Sequence, residues 1–443
     1  MTVPPTTAAT QADTAGWAGH PRGLSTLFFT EMWERFSYYG MRAFLILYMT
    51  SPAVAGGLGF EVPRAGSLYG TYVGSVWFAT IFGGIIADRW LGAYRSVLVG
   101  GTIIALGHFT LAIRALPFFY AGLALIVLGT GLLKPNATTM LGSLYDERDA
   151  RRDAGFSIFY MGINLGAFIG PIIAGWLAQN VDWHLGFACA GVGMTIGLIQ
   201  YVLGRDRLRP ALARVAVRAQ SVSASAAFTR EEWARMGAVL VFFVFAALFW
   251  AAYEQAASTL NLFADKYADR TVFGWTVPTS WFVSIQALFV ILLSPVFAWL
   301  WVRLGPREPT TPVKFAFGLL LVGLSFVLLL PAGAAAQSGG GVLVSSLWLV
   351  AAYFIQVVGE LCLSPVGNSV VTKLAPPRIV GMMMGVWFLA IAAGNKLAGL
   401  IASLSATIPF TTLFGAVAAA TIGASVILFL LIRPIQRLMG GVR

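Results

Sequence analysis

Apolar runs of about 20 residues recur along this chain from one end to the other. Nothing constrains its fold more, because that is the length an α-helix needs to cross the hydrocarbon of a bilayer. Twelve such runs begin near Leu24, Ser67, Tyr94, Leu116, Gly155, Leu185, Met236, Val277, Val313, Leu347, Gly381 and Thr411. Of 443 residues 58% are apolar and only 11% charged, so no segment is polar enough to form a soluble domain beside them. The reading is an all-α integral membrane protein with 12 transmembrane helices.

One interval between the runs is long. Residues 205–235, "RDRLRPALARVAVRAQSVSASAAFTREEWAR", hold nothing able to span and split the chain into two sets of six. The sequence thus divides into a tail (1–22), a six-helix bundle (23–204), a linker (205–235), a second bundle (236–437) and a short tail (438–443). The linker admits two readings. It is an amphipathic helix on the anionic inner leaflet, with Leu208, Leu212 and Val215 opposite Arg209, Arg214 and Arg218, or it is a flexible tether. Two six-helix sets joined by a basic linker is the pattern of transporters whose substrate site lies between pseudo-symmetric halves near mid-membrane.

The net charge of +11 suggests nucleic acid, yet the cations fall in short loops rather than on one basic face. Topology explains them better. Placing both termini in the cytoplasm puts most arginines inside and leaves only Arg64, Arg114, Lys266 and Arg270 outside, the asymmetry expected of a multi-pass protein of the cell's inner (plasma) membrane. No nucleic-acid partner is expected, and the working state is read as a monomer. Cys189 and Cys362 lie in apolar runs without spaced partners, so neither a disulfide nor a metal site is expected. The first twenty or so residues lack the apolar core of a signal peptide and read as a disordered tail. His20, His108 and His184 read as bystanders.

The first span carries charge where charge is costly. In "EMWERFSYYGMRAFLILYM", Glu31, Glu34, Arg35, Tyr38 and Arg42 share one helical face. A charge at mid-bilayer costs at least about 2.5–3.5 kcal/mol, so this face must meet a watery cavity or other charges. Other spans supply partners: Lys134 in the fourth, Glu254 in the seventh, Glu360 in the tenth and Lys396 in the eleventh. Each pair taken singly reads equally well as a static ion pair, and Lys396, close to a helix end, better so. A static bundle, however, would hold the first helix more cheaply with leucine.

Two sets of motifs carry a resemblance. "GGIIADRWLGAYRS", residues 83–96, resembles the loop between helices two and three of the major facilitator superfamily, where Asp88, Arg89 and Arg95 would latch the inner gate. "EMWERFSYYG", with "GLLKPNATTMLGSLY", "FSIFYMGINLGAFIGP", "FWAAYEQ", "GELCLSPVGNSVVTKLAP" and "VWFLAIAAGNKLAG", resembles the proton-coupled oligopeptide transporter family of that superfamily. The resemblance covers nearly all the chain except the tail and the linker.

It implies the major facilitator fold and proton-driven import of di- and tripeptides, with no cofactor and no enzymatic activity. Glu31, Glu34 and Arg35 would work with Lys134 in coupling, and Arg42 would pair with Glu254 as an outer gate. Arg42 and Lys134, with Tyr39 and Tyr72 nearby, would take the peptide carboxylate. Glu360 would meet the peptide amine, with Asn164, Gln286 and Ser364 as polar neighbours and Trp250, Trp387 and Tyr160 lining side-chain pockets. Cations on one half and an anion on the other suit a zwitterion whose charges lie roughly 5–9 Å apart. The sequence departs from some relatives in having Tyr253 in place of a second acid, Gly70 in place of a histidine, Gln286 in place of an asparagine, and no room for two extra helices between the halves. Members carrying nitrate, amino acids or other anions leave the cargo open, as does a peptide sensor without transport.

Overall fold

The computed structural model describes residues 13–146, 149, 151–220, 228–338, 343–376 and 379–440. Among them are twelve helices of 20 to 29 residues: α1 (Gly23–Thr50), α2 (Val62–Ile86), α3 (Gly92–Leu111), α4 (Leu116–Ser143), α5 (Arg152–Asn180), α6 (Trp183–Leu203), α7 (Arg230–Tyr253), α8 (Trp281–Leu304), α9 (Thr311–Gln337), α10 (Leu347–Leu374), α11 (Val380–Leu404) and α12 (Phe410–Leu430). Among the described residues, nine helical stretches are long and apolar enough to cross a membrane, one of them, Val62–Leu111, holding both α2 and α3. Among the described residues strand is confined to two-residue pieces: a hairpin of Thr271–Val272 with Trp275–Thr276 between α7 and α8, and a parallel pair of Ala268–Asp269 with Val344–Ser345.

Local signals explain several starts. Pro63 occupies the first turn of α2, where its missing N–H costs nothing, and the Asp182 side chain accepts from the His184 amide to cap α6. Thr229 and Glu232 form a reciprocal capping box, so α7 begins at Arg230, inside the stretch expected to be linker. The rest of that stretch also differs from both readings. Residues Arg205–Gln220 form a helix, but its apolar side faces protein, with Leu208 and Ala211 buried in the core of α1–α6. Arg214 donates to the carbonyls of Ser143 and Leu144 at the end of α4, at 3.2 and 2.9 Å.

The amino-terminal segment differs as well, since residues 13–22 are fastened to the α4–α5 loop. His20 Nδ1 lies 2.8 Å from the Tyr145 hydroxyl, and Arg151 reaches the Gly19 carbonyl. Hydrogen bonding from Arg151 holds the Asp149 carboxyl down at about 2.

Buried side chains gather within each set of six. One core is drawn wholly from residues between Met236 and Met439, another wholly from residues between Leu24 and Ala211. A third, mostly from α1 to α6, takes in Ala257, Val283 and Ala402 and so joins the halves. That junction lies at the end of the molecule away from both chain termini, hereafter the far end. There α2 and α11 touch backbone to backbone: a Cβ on Gly399 would stand 2.4 Å from the Gly70 Cα. Only glycine permits this approach, which supplies a packing reason for the Gly70 that the sequence marks as a departure. Hydrogen bonds between α5 and α8 reinforce the same end, Ser284 Oγ donating to Phe168 O at 2.8 Å and Trp281 Nε1 to Ile172 O at 3.0 Å.

Candidate functional site

The charged face of α1 turns inward. Glu31, Glu34 and Arg35 are 2%, 0% and 1% exposed. Arg35 Nε donates to Glu34 Oε2 and lies 3.4 Å from Glu31 Oε1. Lys134 of α4 approaches the same Glu31 oxygen at 3.9 Å and stands 4.6 Å above the Trp77 ring of α2. Pro135 removes an amide from α4 beside this lysine, and Asn136 Nδ2 satisfies the Leu132 carbonyl at 2.7 Å. Two acids and two bases thus form a compact, nearly neutral cluster in the half of the bundle nearer the termini. Glu31 Oε2, Glu34 Oε1 and Arg35 Nη2 are buried without a protein partner there.

Toward the far end, Arg42 is buried and crosses to the second half. Its Nη2 donates to Glu254 Oε2, while its Nε donates to the Tyr69 hydroxyl at 2.9 Å. Tyr38 and Tyr39 separate the two arginines of α1, each ring lying within 6 Å of both guanidinium carbons. Glu254 follows the last residue of α7 and opens a single 3-10 turn, Glu254–Ala257, before the chain resumes as a helix over Thr259–Tyr267. Its chain neighbour Tyr253 donates to Glu360 Oε2 on α10. Two consecutive residues therefore hold the cross-half pair and the tenth-helix acid.

The remaining predicted positions are placed less uniformly. Tyr160 of α5 packs beside Val290, Val357 and Leu361 of the other half. Asn164 is buried and spends its amide on the Tyr160 carbonyl at 2.9 Å. Gln286 donates to Gln356 at 2.9 Å, and Gln356 to Ser325 at 3.1 Å, a polar chain within the second half. Tyr72 is buried with its hydroxyl unpaired. Trp250 is half-buried, with its ring 5.5 Å from Tyr253. Trp387 is 2% exposed and sits in the core with its ring 6.1 Å from that of Phe315. Lys396 reaches across to Thr71 Oγ1 at 2.5 Å, joining α11 to α2. The Ser364 side chain lies outside the described residues. Asp88 and Arg89 are exposed on the turn between α2 and α3, and Arg95 is exposed in the first turn of α3.

The sequence matches the family described as "PTR2: POT family" over residues 94–223 and 211–421. The chain belongs to the POT family. Relatives include "Peptide transporter YePEPT" of Yersinia enterocolitica, 40% identical over 490 aligned positions that take in 95% of this chain and 96% of the relative. Because this chain has only 443 residues, that POT protein carries sequence that this one lacks. "Di-/tripeptide transporter" of Lactococcus lactis subsp. cremoris is 36% identical, covering 96% of this chain and 98% of the relative. Among solved structures, a peptide transporter POT in complex with sulfate superposes with a TM-score of 0.87 at 41% identity, covering 97% and 98% of the two chains. A POT family transporter in complex with a thioalcohol-conjugated peptide superposes at 0.86 with 34% identity, covering 95% and 98%.

Within this POT fold, sequence reasoning passed over three side chains that touch the charged groups: Tyr69 on Arg42, Trp77 under Lys134 and Tyr253 on Glu360. Only Tyr253 carried a signal, as the position where some relatives have an acid. Tyr69 and Trp77 read as ordinary aromatic residues in an apolar run, and only the approach of a neighbouring helix marks them out.

Proposed function

We propose that this POT protein is a proton-coupled symporter that imports di- and tripeptides by alternating access across the inner (plasma) membrane, with both termini cytoplasmic, acting as a monomer and without a cofactor. The observation that carries the reading is the Arg42–Glu254 pair, buried and spanning the two halves at the far end. A buried pair that crosses between rigid bodies is a gate whose strength depends on whether the acid is ionised.

In this reading the far end is the outer side. A proton reaching Glu254 from outside neutralises it and releases Arg42, with Tyr39, Tyr72 and Lys134 as neighbours, to take the peptide carboxylate. Glu360 takes the peptide amine among Asn164, Gln286 and Ser364, and Trp250, Trp387 and Tyr160 accommodate side chains. Glu31, Glu34, Arg35 and Lys134 pass the proton inward, while Asp88, Arg89 and Arg95 latch the inner gate in the opposite conformation. One charge crossing 100 mV yields about 2.3 kcal/mol and one pH unit about 1.4 kcal/mol, which together support roughly 500-fold accumulation per proton.

The names of the relatives support the peptide cargo. Competition tests it: unlabelled di- and tripeptides should suppress uptake of a labelled dipeptide, while free amino acids and nitrate should not. Suppression by amino acids or nitrate instead would assign another cargo, and binding without flux would make the protein a sensor.

A further inference from the structure

A crevice at the end of the molecule nearer the termini, between the α2–α3 turn and the linker helix, shares Arg89 and Arg95 with the proposed inner gate and adds Arg205 and the linker helix, to which that reading gives no role. A π-helical turn, Ala87–Leu91, closes α2, and Gly92 restarts the chain with φ of 72°. Turns of this kind are rare and concentrate at functional positions. Here the side chain that projects is Trp90, 71% exposed. The linker helix supplies the opposite wall. The two elements enclose a cavity of about 410 Å³ that brings Arg89, Arg95 and Arg205 together over apolar Leu91, Leu212 and Val215.

The charge in this crevice is not internally balanced. Asp88 is the acid in its lining, against three arginines. Asp206, next to Arg205, is engaged with Arg209 at 2.8 Å. Arg205 lies instead 5.3 Å from the centre of the Tyr94 ring, and that ring stacks on Tyr201 at 4.9 Å, which fixes the wall. A soluble anion would satisfy the guanidinium groups but leave the projecting indole and the partly exposed flanks of Leu91, Leu212 and Val215 uncovered. An amphiphile with an anionic head satisfies both, and an exposed tryptophan at a helix end belongs at the membrane–water boundary.

We propose that this crevice binds the headgroup of an anionic phospholipid, its phosphate held by Arg89, Arg95 and Arg205 and its acyl chains descending past Trp90 and Leu91. The assignment does not depend on which solute the protein carries.

Native mass spectrometry of the purified full-length protein with phosphatidylglycerol, phosphatidylethanolamine or phosphatidylcholine added to the micelles tests it. Wild type should retain phosphatidylglycerol in preference to the other two, and excess inorganic phosphate should not displace it. Arg95→Gln and Arg205→Gln should each lower that retention about fivefold, the value of one surface cation near an anionic lipid. Arg303→Gln, which removes an arginine lying over Trp299 on α8, should leave it unchanged. Phosphatidylglycerol should also raise the Tm of wild type more than that of Arg205→Gln. Equal retention of the three lipids, displacement by inorganic phosphate, or undiminished retention in both crevice variants would overturn the proposal.

Discussion

Arg42 on α1 donates to Glu254 at the end of α7, so that a buried ion pair fastens the two halves of the molecule at one end. Removing one partner leaves the other charge buried and unpaired, a penalty of about 3–5 kcal/mol, whereas removing both costs far less. Arg42→Met and Glu254→Leu should each lower the Tm measured in detergent, and the double variant should recover most of that loss. A double variant as unstable as the sum of the two singles would show that the groups act independently.

Tyr253 and Glu254 are neighbours in the chain, yet they hold different partners, Glu360 and Arg42. Tyr253→Phe removes a hydrogen bond to a charged group, worth about 1.5–3 kcal/mol. If Glu360 receives the peptide amine, Glu360→Gln should weaken zwitterionic dipeptides much more than amine-blocked ones, and Tyr253→Phe should alter the same discrimination. Uniform loss for both ligand types would remove Glu360 from amine recognition.

At Gly399 a Cβ would come within 2.4 Å of the Gly70 Cα. Gly399→Val should therefore prevent the far end from closing and hold the transporter open there. Labelling of a cysteine placed at Thr71, which accepts from Lys396 across the same seam, should become faster in the Gly399→Val background. Unchanged labelling would mean that α2 and α11 separate elsewhere.

The docked amino-terminal segment also gives an expectation. Asp149 is held at about 2 chiefly by hydrogen bonding to Arg151, which in turn reaches the Gly19 carbonyl. A carboxyl lowered in this way contributes above its ordinary titration range and loses that contribution only as pH falls toward 2. The contribution of Asp149 to the amide protection factors of residues 13–22, exchange rates being corrected for their intrinsic pH dependence, should accordingly be the same at pH 5 as at pH 7, and Asp149→Asn should lower the protection at both.

Much of this architecture was legible because the bilayer allows few solutions. Apolar length alone places the helices, and the observed starts lie within a few residues of the expected ones, as at Leu116 and Leu347. The charged face of α1 was equally visible, since no other arrangement spares Glu31, Glu34 and Arg35 from lipid. What sequence periodicity could not supply were contacts made by a second element. The linker helix carries the expected amphipathic pattern, but a pattern does not say whether lipid or protein covers Leu208, and here protein does. The packing of Phe315 of α9 against Trp387 likewise has no local signature. Thr229 and Glu232 did have one, a capping box whose spacing extends α7 into the linker.

The most direct test of the coupling account uses proteoliposomes with an imposed inward proton gradient. Wild type should accumulate a labelled dipeptide against its concentration gradient, and Glu34→Gln should still exchange peptide across the membrane while losing that accumulation. Accumulation in Glu34→Gln equal to wild type would contradict the proposed role of the α1 cluster, and wild-type uptake indifferent to the gradient would contradict symport itself.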